Sequence, residues 1–351
     1  MTHLWIRAEQ RKNEKRVGIT PNGVSSLISR GFKVTIEETN DRIFPIQSYQ
    51  DVGCEIVQER SWPEAPGKAI IFGLKELPND SNPLRHRHIF FGHAFKGQRS
   101  GQKLLKRFKN DGGTLYDIEY LVDEFGKRVA AFGYWAGFAG AAVSLKVWLS
   151  QKMNISCAPV MDYEDKHSLL KELKQELSIS KEKIPSAIVI GALGRVGNGA
   201  SDLCEALGIR VSKWDIKQTV KGGPFPEILD HDIFLNCIVA SKGAPVFFSK
   251  SDIQSSRKLS VIGDIACDPD SDYNPIPIYD KATSWKIPSN VIHIDPPLAV
   301  MAIDNLPSLL PKESSIDFAS QILPYLYELN KLNAGVWERA EKIFQEKIKG
   351  V

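Results

Sequence analysis

Cysteine is scarce in this chain, and what there is forms no pattern. The five residues, Cys54, Cys157, Cys204, Cys237 and Cys267, are odd in number and lack the close pairs of a metal site. No metal is expected, and so few thiols suit a reducing compartment. A dominant charge sign is also missing: 45 Lys and Arg face 42 Asp and Glu, for a formal net charge of +3. A surface so balanced gives no reason to expect nucleic acid as a partner. The opening residues, MTHLWIRAEQRKNEKR, hold no apolar core of signal-peptide length, and the closing EKIKGV is no recognised sorting tripeptide. Cytoplasm is therefore the expected location. The one long uncharged stretch, Val129 to Leu145, falls short of the roughly 20 residues of a membrane span. It is crowded with Gly133, Gly137, Gly140 and alanines, so it reads as a buried helix packed closely on backbone. No membrane association is expected, and no low-complexity tract is present.

What the chain does have is an α/β rhythm running through 351 residues, too many for one comfortable core. The most telling run is SAIVIGALGRVGNGA, Ser186 to Ala200. The β-branched Ile188-Val189-Ile190 leads straight into Gly191, Gly194 and Gly197. That is the pattern of a strand, a tight turn and a helix start that receives a pyrophosphate. Leu193, Arg195 and Val196 complete this loop. Asp215 closes the next short run, Val211 to Trp214, at about the expected distance of roughly 20 residues. A carboxylate there can hold both ribose hydroxyls and repels a 2′-phosphate, which points to NAD rather than NADP. Further strands are expected at Ile233–Ile238, Leu259–Ile262 and Val291–Ile294. The tail from Ile316 to Lys349 has a helical pattern.

A domain's worth of chain precedes the glycine loop. Strands are expected at Leu4–Ile6, Phe32–Ile36, Ala69–Phe72, His88–Phe91 and Thr114–Asp117, in a sheet read as parallel. A helix opens at Thr20-Pro21 and closes at Gly31. In such sheets ligands lie beyond the carboxyl ends of the strands. Lys75 and His93 each stand there, after an apolar run and a glycine. Both can exchange a proton near neutral pH once their surroundings tune them, which suits oxidation of an amine. Arg16, in a basic loop after the first strand, can clamp a carboxylate with its guanidinium fork. Glu14, Glu76 and Glu119 are candidates for balancing these cations, and Lys127 and Arg128 precede the buried helix. Taken singly, Lys75 and Arg16 also read as solvated charges, and His93 as a core imidazole bonded to a carbonyl.

Taken together, the blocks LWIRAE, EKRVGITP, IIFGLKELP, HIFFGHAFKGQ, GTLYDIEYL, RVAAFGYWAGFAGAA, GALGRVGNGA, NPIPIYDKAT and AIDNLPSLLP carry a resemblance across nearly the whole chain. The sequence resembles NAD-dependent saccharopine dehydrogenase of the L-lysine-forming type, within the wider group of alanine dehydrogenase and transhydrogenase. The resemblance implies an α/β protein of two Rossmann-like domains with largely parallel sheets flanking a central cleft. Residues 1–132 plus a C-terminal helical part, about 316–351, would form the substrate side, and 133–315 the NAD domain. It implies a monomer that oxidises saccharopine to L-lysine and 2-oxoglutarate with water and NAD. Lys75 and His93 match the acid–base pair, and Arg16, Lys96, Gln98, Lys127 and Arg128 the substrate side. Asp215 and Thr219 match the ribose ligand block. Ile303 and Asp304 match a segment closing over the nicotinamide.

Two departures from the family pattern stand out. Val196 occupies a position where some relatives have a cysteine able to pair with the counterpart of Cys237, so that pairing is excluded here. Val239 replaces a hydroxylated aromatic, which alters the expected packing around the adenine. Two other readings stay open from sequence: another amino-acid dehydrogenase of the alanine dehydrogenase kind, and a non-catalytic NAD-binding protein.

Overall fold

A computed structural model describes residues 1–78, 80, 82–96 and 99–351. The chain divides into two compact units, Met1–Ala131 with Pro311–Val351, and Phe132–Leu310.

The first unit begins with β1 (His3–Ile6), α1 (Pro21–Ser29), β2 (Lys33–Glu37), α2 (Ile46–Gln50) and β3 (Glu55–Val57). It continues with β4 (Ile70–Phe72), β5 (Arg87–Phe90), α3 (Arg99–Asp111) and β6 (Thr114–Asp117). All six strands run parallel, in the order β3-β2-β1-β4-β5-β6. The order reverses between β1 and β4, the point of a doubly wound sheet where ligands are received. Local chemistry sets the elements. Thr20 Oγ1 caps α1 by accepting the Gly23 N–H at 3.3 Å, with Pro21 at the first helical position. Gly31, at φ 84°, turns the chain out of α1 into β2.

The second unit holds α4 (Gly133–Lys152), α5 (Lys166–Ser180), β7 (Ser186–Ile190), α6 (Arg195–Ala206), β8 (Arg210–Trp214) and α7 (Ile216–Thr219). It ends with β9 (Ile233–Asn236), β10 (Val261–Asp264), β11 (Asn290–His293) and β12 (Leu298–Met301). Their order is β11-β12-β10-β9-β7-β8, parallel except for the antiparallel edge strand β11. Helix α4 is buried around nearly its whole circumference. Its small residues are a steric necessity. A Cβ on Gly137 would lie 1.8 Å from the Val196 carbonyl oxygen, and one on Gly199 would lie 1.9 Å from that of Tyr134. The backbones of α4 and α6 therefore touch. Among the described residues no helix is long and apolar enough to cross a membrane.

The tail returns to the first unit as two helices rather than one continuous stretch, α8 (Pro311–Leu326) and α9 (Gly335–Lys349). The interruption falls in a segment carrying Asn330, Asn333 and Gly335, the last at φ 62°. The Trp337 indole anchors α9 by donating to the Tyr325 carbonyl at 3.0 Å, and Phe344 meets Phe108 edge-on in the core.

Candidate active site

The carboxyl edge of the first sheet gathers most of the ionic residues singled out from sequence. Pairing of β4 with β5 aligns Phe72 with Ile89, and the Phe91 N–H extends it by donating to the Leu74 carbonyl at 2.9 Å. Lys75 and Gly92 follow in the same register, so Lys75 and His93 leave adjacent strands side by side. His93 holds φ 47°, a left-handed conformation that is uncommon outside glycine. Its imidazole is half exposed, with Nδ1 3.6 Å from a Glu119 oxygen.

Glu119, just past β6, is the hub of the cluster. Its carboxylate also accepts from Lys96 Nζ at 2.9 Å and Arg128 Nη2 at 3.3 Å. The nearby His93 imidazole, then Lys96 and Arg128, hold Glu119 down at about 2 against the effect of burial. The bond that Lys96 donates to Glu119 raises Lys96 above its ordinary value. Beneath them Asp117 is fully buried, and burial pushes its carboxyl up to about 6, restrained by the N–H groups of Glu119 and Gly92. A pocket of about 540 Å³ opens beside His93, walled by Glu76, Leu77 and Gly92 on one side and Arg99, Gly101, Lys103 and Arg107 on the other.

Arg16 lies buried rather than in a solvated loop, held by Glu14 through a two-toothed pair at 2.8 and 2.6 Å. Burial would raise Glu14, but the Arg16 guanidinium and the Lys75 ammonium outweigh it and hold the carboxyl below its usual range. Glu76 is exposed and faces Arg11 at 3.9 Å. Lys127 is exposed in a turn where its N–H donates to Asp123 at 2.8 Å, apart from the Glu119 cluster. Gln98 lies outside the described residues.

Three residues in this edge were not singled out from sequence: Arg7, Glu9 and Asp117. Arg7 and Glu9 follow β1 as Lys75 follows β4, but no glycine sets them off as Gly73 sets off Lys75. Asp117 closes β6 itself.

In the second unit the glycine loop joins β7 to α6. The first-turn N–H groups of α6 have no side-chain cap, because its N-cap is Gly194. Gly191 holds φ 86°, and a Cβ there would lie 2.4 Å from Ile238. A Cβ on Gly197 would lie 2.1 Å from the Gly191 carbonyl oxygen. The result is a tight cradle at a helix N-terminus that no side chain caps, which fits a pyrophosphate. Asp215 Oδ2 accepts the Leu193 N–H at 3.0 Å, which brings the carboxylate against the loop. Thr219 is buried, and its hydroxyl donates to the Asp215 carbonyl at 3.3 Å. Leu193 and Val239 expose their apolar side chains, 78% and 75%, beyond neighbouring strands, and Arg195 and Asp304 are also exposed. The Ile303 side chain packs in the apolar core, so only its main chain faces outward chemistry. All five cysteines are free.

A family model described as "Alanine dehydrogenase/PNT, N-terminal domain" matches residues 5–139. The saccharopine dehydrogenase (NAD(+), L-lysine-forming) of Candida albicans is 42% identical, over 98% of this chain and 97% of its own length. That of Schizosaccharomyces pombe is also 42% identical, over 99% and 98%. The chain belongs to the saccharopine dehydrogenase family. Membership makes it an NAD-dependent oxidoreductase. The two parallel-sheet units agree with the wider group: a solved L-alanine dehydrogenase matches with a TM-score of 0.72 at 18% identity, over 99% of this chain and 94% of that one, a likeness of fold.

Proposed function

We propose that this chain oxidises L-saccharopine, with NAD⁺ and water, to L-lysine, 2-oxoglutarate and NADH. The observation that supports it best is the emergence of Lys75 and His93 from the adjacent strands β4 and β5, with His93 beside Glu119, in a chain 42% identical to enzymes of that name. Met1–Ala131 with Pro311–Val351 would serve the amine substrate, and Phe132–Leu310 the dinucleotide.

Saccharopine is a secondary amine bearing three carboxylates. Glu119 sets one negative charge against two lasting cations, Lys96 and Arg128, so the cluster keeps a positive surplus for an anion. Arg16 and Lys127 would add further guanidinium and ammonium groups. Lys75 Nζ takes the proton of the secondary amine. NAD⁺ supplies the acceptor for the hydride that leaves the glutaryl α-carbon. The substrate is then an imine. His93 takes a proton from the water that adds to the imine carbon, giving a carbinolamine. It returns the proton to the departing lysine nitrogen as the C–N bond breaks, and the carbinolamine hydroxyl becomes the carbonyl by losing its own proton, which the freed lysine amine takes up. Glu14 and Glu119, with Glu76 nearby, keep the two bases within working range. The loop from Gly191 to Gly197 would hold the pyrophosphate, and Asp215 the ribose hydroxyls. Val239, Ile303, Asp304 and Thr219 would border the cofactor.

The test is NADH consumption in the reverse direction. Oxidation of NADH that requires both L-lysine and 2-oxoglutarate is the expected result. Turnover with pyruvate and ammonia alone would overturn the substrate assignment. The reading extends to a cytoplasmic monomer, which light scattering on a sizing column and cell fractionation would check.

A further inference from the structure

The Lys75 peptide is gripped from two directions by side chains that belong to the segment after β1. The β1–β4 ladder ends where the Arg7 N–H donates to the Phe72 carbonyl at 2.9 Å. Beyond it, the N–H groups of Leu74 and Lys75 point toward a strand that has already turned away. Glu9 takes the place of that missing strand. Its two oxygens accept the Leu74 N–H at 2.6 Å and the Lys75 N–H at 2.9 Å. Arg7, 2% exposed, donates from Nη2 to the Lys75 carbonyl and from Nη1 to the Ala8 carbonyl, and it stands 3.5 Å from Glu9. Its guanidinium lies over the Phe90 ring, 5.6 Å from the centroid. Gly73 makes the passage possible, since a Cβ there would sit 2.4 Å from Arg7 Nε. A buried guanidinium and a carboxylate with two main-chain donors form charge-assisted bonds, the strong kind.

We infer that Glu9 and Arg7 are positioning residues for Lys75, acting as a clamp that fixes the backbone from which its ammonium group reaches the substrate. The inference rests on the role proposed above for Lys75. Neither residue needs to touch substrate. The clamp confines a loop residue as a strand ladder would. Misplacement of a reacting group by about 1 Å can cost up to roughly 100-fold in rate.

The test is a double-mutant cycle in the full-length enzyme, with saccharopine and NAD⁺. Glu9→Gln is expected to lower kcat about 10- to 100-fold, and to leave the NADH dissociation constant, measured by fluorescence titration, within about 2-fold. Combined with Lys75→Ala, Glu9→Gln is expected to change the residual rate less than about 2-fold, because the group it positions is gone. Arg7→Lys, which keeps the charge and loses the fork, gives the same cycle if Glu9→Gln fails to fold. Equal losses in both backgrounds would mean a merely structural role and overturn the inference. So would a Glu9→Gln enzyme with wild-type kcat beside an impaired Lys75→Ala enzyme. A Lys75→Ala enzyme at full rate would overturn the role of Lys75 itself.

Discussion

Replacing Gly197 with alanine would put a Cβ 2.1 Å from the Gly191 carbonyl oxygen and 2.5 Å from the Ala192 Cα. Neither neighbour can yield. The N–H groups of Gly191 and Ala192 both donate to the Trp214 carbonyl at 2.9 Å, and the far side of Gly191 is closed by Ile238. Relief requires α6 to lift off β7 by about an ångström. Overpacking of this kind costs about 1–3 kcal/mol, and a backbone-on-backbone clash belongs in the upper half. For a unit of roughly 150–250 residues that is a fall in Tm of about 4–12 °C. The loop would shift with the helix, so NADH affinity should fall at least about 10-fold. Gly194→Ala is the matched control. Its Cβ would lie 3.4 Å from the Gly191 oxygen at φ −79°, which costs little stability. It stands at the helix N-cap, where only a bare backbone lets a pyrophosphate approach. Calorimetry and NADH fluorescence titration on both variants should separate the effects: Gly197→Ala loses stability and binding, Gly194→Ala binding alone. If Gly197→Ala melts like the parent, the packing argument is wrong. If Gly194→Ala binds NADH normally, the loop is not the pyrophosphate seat.

Glu119→Gln removes the shared counter-charge of His93, Lys96 and Arg128, and should reduce kcat/KM for saccharopine about 10-fold or more, in line with general acid–base losses. Because Glu119 is held at about 2, its own ionisation should leave no inflection in the wild-type pH–rate profile above pH 4. Asp117, raised to about 6 by burial, binds its proton more tightly in the folded state than in the unfolded one. Its contribution is therefore full below about pH 4 and lost as the pH rises through 6, by up to about 3 kcal/mol. Urea unfolding of Asp117→Asn against wild type at pH 4 and pH 7 should show this as a relative gain for the variant at pH 7. His88 carries the opposite sign. Its pKa is pushed well down by burial and then by Arg7, so stability is present above about pH 6.5 and lost as the pH falls below it. His88→Phe should resist acid unfolding better than wild type, and equal midpoints in a pH titration of circular dichroism would refute it.

The α/β rhythm was legible because most strands are short apolar runs closed by a glycine or an ionic residue, as Ile70-Ile71-Phe72-Gly73 and Ile188-Val189-Ile190-Gly191 are. Strand β3 escaped because three half-exposed residues carry no alternation, and β12 because Leu298–Met301 follows Pro296-Pro297 and merges into a longer apolar run. The direction of β11 was invisible, since an antiparallel edge strand and a parallel one share a composition. Lys75, His93 and Asp215 could be read from their places at strand ends. Arg7, Glu9 and Asp117 could not be read the same way, because their partners are largely main-chain groups. A carboxylate that bonds two N–H groups leaves no partner residue in the sequence to announce it.

That invisibility follows from how the first sheet holds its loops. Past the last rung of a parallel ladder, backbone N–H groups lose their partners, and a buried one left alone is costly. Carboxylates at the strand ends fill the gap. Glu37, fully buried at the end of β2, accepts from the Ala8, Arg60 and Trp62 N–H groups at 2.9, 3.0 and 2.6 Å and from the Trp5 indole at 3.2 Å. Glu9 does the same for Leu74 and Lys75, and Asp117 for Glu119. Each burial of charge is offset by charge-assisted bonds. The second sheet solves the matching problem differently. Its loop after β7 ties its own N–H groups to the Trp214 and Gly191 carbonyls and to Asp215, leaves the first turn of α6 without a side-chain cap, and is stiffened by glycines pressed against backbone. The difference fits the two tasks. A phosphate at a helix start is bound by main-chain N–H groups, which suits a first turn of α6 that no side chain caps. In the proposed reaction proton transfer depends on side chains, so the main chain beneath Lys75 and His93 would have to be tied down by other residues.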